Sequence, residues 1–228
     1  MSKKPNQHLF KERITRTGYN AQILALSNAI ADGTEALKKL LLGTEAPDTY
    51  EGHGNYELGQ HDNCEGFTSS RPTEKRFCKC LFFLNGDSAK QCEKCKYHER
   101  FALVGNEYQI KDYEVPSFYY GDGIGEIDLV IQEGNVLYAT EVKPYKGNSE
   151  TLLRMVAEIM TYTLGYPNGK YKKAIAFFEK NRETKSKTKQ QEEYDAIHSS
   201  LVALLKTADI TVFRFEEAGE KAYKICKL

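Results

Sequence analysis

Three things are missing from this sequence. No apolar run approaches the roughly 18 residues of a membrane span. Neither charge is in excess, with 32 Lys+Arg against 32 Asp+Glu. No internal repeat is present. The first absence excludes a helical membrane span, and the second means that overall charge predicts no partner, only its distribution can. Met1 to Lys4 is charged but no apolar stretch follows it, so no signal peptide is expected. With 40% hydrophobic and 28% charged residues, the composition also excludes a disordered or collagen-like chain.

What is present fills 228 residues, enough for one full-sized domain and a small appendage. Six cysteines without a signal peptide point to a reducing, cytoplasmic setting, where close thiols hold metal more often than disulfides.

The chain divides into three parts. Residues 1–50 are an N-terminal helical segment: a basic, polar start (Lys3, Lys4, Lys11, Arg13, Arg16), then apolar periodicity from Tyr19 to Leu42, with Asp32-Gly33-Thr34 splitting two helices and Thr34 capping the second. Residues 51–100 are irregular and cysteine-rich. Residues 101–228 carry strands over 107–120, 126–132, 136–143, 173–178, 210–215 and a terminal edge strand over 222–226, with helices over 149–164 and 190–206. Strands followed by helix–strand alternation give an α/β fold of mixed α+β character, a central mixed sheet flanked by helices.

The most informative stretch is Gly125 to Tyr145, in which two β-rich runs flank Gly134-Asn135, a pair suited to a two-residue hairpin turn. That turn sets Asp128 opposite Glu141 and Glu126 opposite Lys143, unless a bulge shifts the register by one. All four side chains then share one face, and Ile127, Leu129, Ile131, Tyr138 and Val142 pack on the other. Facing carboxylates repel. A divalent cation such as Mg²⁺ explains them best, and a shared proton is the lesser alternative. The bland alternative is a surface ion pair between Glu126 and Lys143.

Asp128, followed after twelve residues by Glu141-Val142-Lys143 and then an amphipathic helix, resembles the PD-(D/E)XK nuclease superfamily. The resemblance covers the hairpin, the next helix and the next strand, about a third of the chain. It implies a restriction-endonuclease-like sheet, a catalytic Mg²⁺ (or Mn²⁺) held by Asp128, Glu141 and the Val142 carbonyl, and Lys143 orienting or deprotonating the attacking water. The twelve-residue gap is similar to that of archaeal Holliday-junction resolvases, and Ile127 stands where the motif has Pro. Glu158, four residues before Tyr162, replaces the Gln of the Gln-x-x-x-Tyr element in exonuclease-like members, so endonuclease is favoured over exonuclease. Glu158 itself reads equally as a site residue or a solvated one. Members of the family place a further acid on a helix before the first strand; Glu35, Glu99 and Glu107 are candidates, and the position stays open.

Cys78-x-Cys80 and Cys92-x2-Cys95 place four thiols in a short span, which suits a small structural Zn²⁺ knuckle in preference to an iron–sulfur cluster. Cys64 or His98 could replace one ligand, and His53 and His61 read as solvent-facing. From Lys143 to Lys189 eleven Lys/Arg face four Asp/Glu, and Lys180, Arg182, Lys185, Lys187 and Lys189 form a basic loop fit to track DNA phosphates. The expected function is a Mg²⁺-dependent deoxyribonuclease, of the kind used in restriction, defence, repair or recombination. It acts on DNA without a membrane, and a homodimer is compatible with it. The rival is a catalytically silent, zinc-containing nucleic-acid-binding module.

Overall fold

The computed structural model describes residues 9–43, 56–59, 61, 74–85, 102–119, 124–144, 150–181, 183–220 and 222–228. After a 3-10 turn over Phe10–Arg13 come helices α1 (Tyr19–Asp32), α2 (Thr34–Leu42) and α3 (Glu74–Asn85). Strands β1 (Ala102–Leu103), β2 (Tyr108–Pro116), β3 (Glu126–Glu133) and β4 (Val136–Lys143) follow. Helix α4 (Leu152–Thr163), strand β5 (Lys172–Phe178), helices α5 (Lys189–Asp195) and α6 (Ser199–Thr207), and strands β6 (Ile210–Gly219) and β7 (Ala222–Lys227) complete the chain.

The seven strands form one mixed sheet in the order β1-β7-β6-β5-β4-β3-β2. β2, β3 and β4 are antiparallel neighbours. β4, β5 and β6 run parallel, as strands joined by helical crossovers must. One face is covered by α4, with α1, α2 and α6 packed around it. The other lies under α3, whose Phe77, Phe82 and Phe83 join Tyr113, Phe178, Phe213 and Phe215 in an aromatic core. Helix α4 is buried along nearly its whole length, and Thr151 caps it by accepting the Arg154 N–H at 3.2 Å.

Several expectations need correction. Gly33, not Thr34, is the N-cap of α2, and Thr34 is its first residue. The helix expected over 190–206 is two helices, interrupted after Asp195 and resumed at Ser199. β7 is not an edge strand, because the two-residue β1 pairs beyond it. Residues 74–85, read as the end of an irregular stretch and the start of a turn, form helix α3.

Candidate metal and phosphodiester site

The hairpin forms in the expected register. Glu133 pairs with Val136, Ile131 with Tyr138 and Leu129 with Thr140. Gly134 takes φ +57 in the turn, a value that a side chain would resist. One pair further, the ladder stops. Asp128 and Glu141 do not pair across the strands; instead the Asp128 carboxylate accepts the Val142 N–H at 2.7 Å, and β4 continues beside β5.

The backbone shows how the strands part. On β3, Leu129 and Ile131 face the α3 core but Ile127 faces the α4 core, so the alternation slips at Asp128. The neighbouring strand slips at the same level, between Tyr113 and Val115, where Glu114 has φ +48. A non-glycine residue in that region costs on the order of 1–3 kcal/mol, a strain seen mainly at functional sites. Ile127 therefore does not share a face with Leu129, as strict alternation required.

Four elements converge on the gap. Glu141 and Lys143 come from the buried end of β4, Asp128 from β3, Glu158 from α4 and Glu74 from the first turn of α3. Carboxylate oxygens of Glu74, Asp128 and Glu141 lie within 4.8 Å of one another. Lys143 Nζ stands among four acids: Glu141 at 2.5 Å, Glu150 at 2.9 Å, Glu158 at 3.3 Å and Glu74 at 3.4 Å. Together with Tyr162 and Cys78 these residues line a cavity of about 330 Å³. The Glu126–Lys143 surface pair does not form, since Glu126 lies near Lys75, at 4.0 Å. Glu158 is not solvated: its side chain is 6% exposed, and it pairs with Arg154 as well as Lys143.

Protonation follows from this crowding. Burial and the neighbouring Asp128 push the Glu74 carboxyl up to about 9. Burial raises Asp128 to about 6, against the opposing pull of Lys143 and the Val142 N–H. Glu141 is driven well above the carboxylate range by burial and then by Asp128. Burial works against the charge on Lys143, but Glu141, Glu158, Glu74 and Asp128 outweigh it and hold its pKa above the ordinary lysine value. Burial also opposes ionisation of Glu158, yet Lys143 and other neighbours keep it below the usual range.

These shifts set a pH dependence. Asp128 and Glu74 have folded pKa values above those of the unfolded chain, so the folded chain holds protons that unfolding releases. Their stabilisation is fully present below about pH 4 and is lost as pH rises through about 6 for Asp128 and about 9 for Glu74. The Tm in EDTA should therefore fall from pH 5 to pH 9, and Mg²⁺ should raise it more at pH 8 than at pH 5. A flat difference between the two metal conditions would contradict this electrostatic picture.

The donor set fits a hard divalent cation. All three clustered ligands are carboxylates. Glu141 Oε2 is buried and accepts no hydrogen bond from the described residues, so its lone pairs are free for a cation.

Of the residues expected to act here, Asp128, Glu141, Lys143 and Glu158 come together. Val142 contributes its N–H to Asp128. Glu74 joins them although no motif in the sequence marks it. The upstream-acid candidates lie elsewhere: Glu35 is on α2, Glu107 lines a separate small cavity beside β7, and Glu99 is outside the described residues.

Cys78 and Cys80 lie two apart on α3, so their side chains leave the helix in different directions and do not converge on one ion. Cys78 lines the carboxylate cavity instead, its thiol pKa raised by burial and by Asp128. Cys64, Cys92, Cys95, His53 and His98 are outside the described residues. His61 is only partly exposed. It stacks on Tyr113 with ring centroids 4.1 Å apart, and its Nε2 lies 3.0 Å from Asp112, whose hydrogen bond raises its pKa.

In the basic loop, Lys180 and Lys187 form a bridge. Lys185 pairs with Glu217 and Lys187 with Asp195, each at 2.6 Å, and Arg182 is outside the described residues. Among the described residues no helix is long and apolar enough to cross a membrane.

The chain matches no family model, no curated protein and no solved structure.

Proposed function

We propose that this chain is a Mg²⁺-dependent deoxyribonuclease of the PD-(D/E)XK kind, an endonuclease rather than an exonuclease. One observation carries the reading: Asp128, Glu141 and Lys143, spaced as that motif requires, meet in one cavity with a third carboxylate, Glu74. The order of elements supports it further. Helix α3 brings an acid to the site from just upstream of the three antiparallel strands, the place for which the resemblance left a vacancy.

Asp128, Glu141 and Glu74 would hold the cation. Bound there, Mg²⁺ neutralises charge on the phosphodiester and lowers the pKa of a water. Lys143 keeps its proton among four carboxylates, so it suits donation to a phosphate oxygen better than removal of a proton from water. Arg154 and Lys143 hold Glu158 in place across the cavity.

The basic loop at Lys180, Arg182, Lys185, Lys187 and Lys189 belongs to the same reading as a path for DNA phosphates. Exposed ion pairs such as Lys185–Glu217 contribute at most about 1 kcal/mol, so a phosphate can replace the acid. A structural zinc also belongs to the proposal, with Cys64 or His98 standing in for Cys78, whose thiol is taken up by the carboxylate cavity.

Plasmid and linear DNA incubated with the purified chain in Mg²⁺, Mn²⁺ or EDTA test the central reading. Cleavage in either metal and none in EDTA is expected. Binding to DNA without cleavage in any condition would replace the enzyme with a silent binding module. Metal analysis of a thiol-protected sample should find about one Zn²⁺ per chain, the stoichiometry of one structural site.

A further inference from the structure

Lys11 has no part in the motif, yet its side chain reaches the edge of the site. It lies on the 3-10 turn at the start of the described chain and is only 5% exposed. Its Nζ donates to the Ile124 carbonyl at 2.6 Å and to the Tyr162 hydroxyl at 2.9 Å, and stands 4.8 Å from the centre of the Tyr162 ring. Burial lowers its pKa, while Glu158, Glu141 and Glu12 oppose that shift and favour the ammonium.

An ammonium only donates hydrogen bonds. The Tyr162 oxygen is therefore the acceptor, and its own proton must point away from Lys11. Among the described residues no acceptor takes that proton, and Tyr162 lines the carboxylate cavity one helical turn beyond Glu158. Gly125 leaves the ring its room: at φ +109, a Cβ there would stand 2.8 Å from the Tyr162 hydroxyl.

We propose that Lys11 is a positioning residue: by engaging the Tyr162 oxygen it turns the phenol proton into the cavity, as a donor to a phosphate oxygen of the substrate. For that substrate the inference rests on the nuclease reading. The need for such a donor follows from the lining. Glu158 keeps its charge at the cavity and Asp128 loses its proton above about pH 6, so a phosphodiester entering there meets repulsion. A phenol beside an ammonium offers a strengthened donor without bringing another acid.

The test compares wild type, Lys11→Met, Tyr162→Phe and the double variant on a short duplex oligonucleotide with Mg²⁺, together with the Tm of each. Each single variant should lose about a hundredfold in kcat, the scale of one lost transition-state donor, with KM little changed. The double variant should be no slower than Tyr162→Phe, because both changes remove the same donor. Losses that multiply, or a Lys11→Met chain with wild-type kcat and only a lower Tm, would overturn the proposal and leave Lys11 as an anchor.

A second measurement needs no activity. In the ¹⁵N-lysine NMR spectrum, Lys11 should give a buried ammonium signal that shifts in Tyr162→Phe. A neutral amine, or a signal indifferent to Tyr162, also overturns the proposal. If the NMR coupling appears but wild type cuts no DNA in Mg²⁺ or Mn²⁺, the substrate half falls together with the nuclease reading.

Discussion

Asp128→Asn and Glu141→Gln are each expected to reduce Mg²⁺-dependent cleavage at least about a thousandfold. The metal is asked to supply several kcal/mol of charge stabilisation, and each 1.4 kcal/mol is a factor of ten. The amides are chosen for a structural reason. Asp128 accepts the Val142 N–H, so alanine would strand a buried donor at a cost of about 1–3 kcal/mol, whereas asparagine keeps the acceptor and removes only the charge. Stability in EDTA at pH 8 should be unchanged or higher, since the charges removed are ones that burial already disfavours. Rates from plasmid relaxation and melting curves settle both points. Cleavage at the wild-type rate by either variant would show that the metal sits elsewhere.

Lys143→Met should have the largest effect on stability. The ammonium is the common partner of Glu74, Glu141, Glu150 and Glu158, and the lysine side chain is 5% exposed. Removing one member of a buried charge cluster costs about 3–5 kcal/mol, because the remaining charges lose their compensation. Urea unfolding in EDTA at pH 8 should show that loss. At pH 5 it should shrink, as the carboxyls take up protons. Mg²⁺ should restore part of the stability, by returning a cation to Asp128 and Glu141, but not cleavage. A variant as stable as wild type in EDTA would mean that the four acids do not depend on Lys143.

The hairpin was legible because two constraints agreed. Alternation of apolar residues defined both strands, and Gly134-Asn135 fixed their offset, so Asp128, Glu141 and Lys143 could be brought to one end of the hairpin from sequence alone. The parting of the strands at Asp128 was not legible: it coincides with Glu114 of a third strand at φ +48, which no local pattern announces. Glu74 was hidden for another reason. Its helix carries closely spaced cysteines and a run of aromatics, and its buried face shows only once the sheet it covers exists. Lys11 looked like part of a polar, basic start because nothing local says that its stem is buried. Glu158 could be read either way. A helix buried on all sides leaves no polar face by which to recognise an inward-pointing acid.

The contact between Lys11 and Tyr162 closes a loop of 151 residues. The entropy of closing a loop grows only with the logarithm of its length, but contacts this distant in sequence form slowly. The β3–β4 hairpin, closed by its own two-residue turn, can reach its register well before the 3-10 turn at Phe10–Arg13 docks on α4. A partly folded chain would then hold its carboxylates near their final places while Tyr162 still lacked its partner. Under the proposed nuclease function, this order of events would keep full activity out of unfinished molecules.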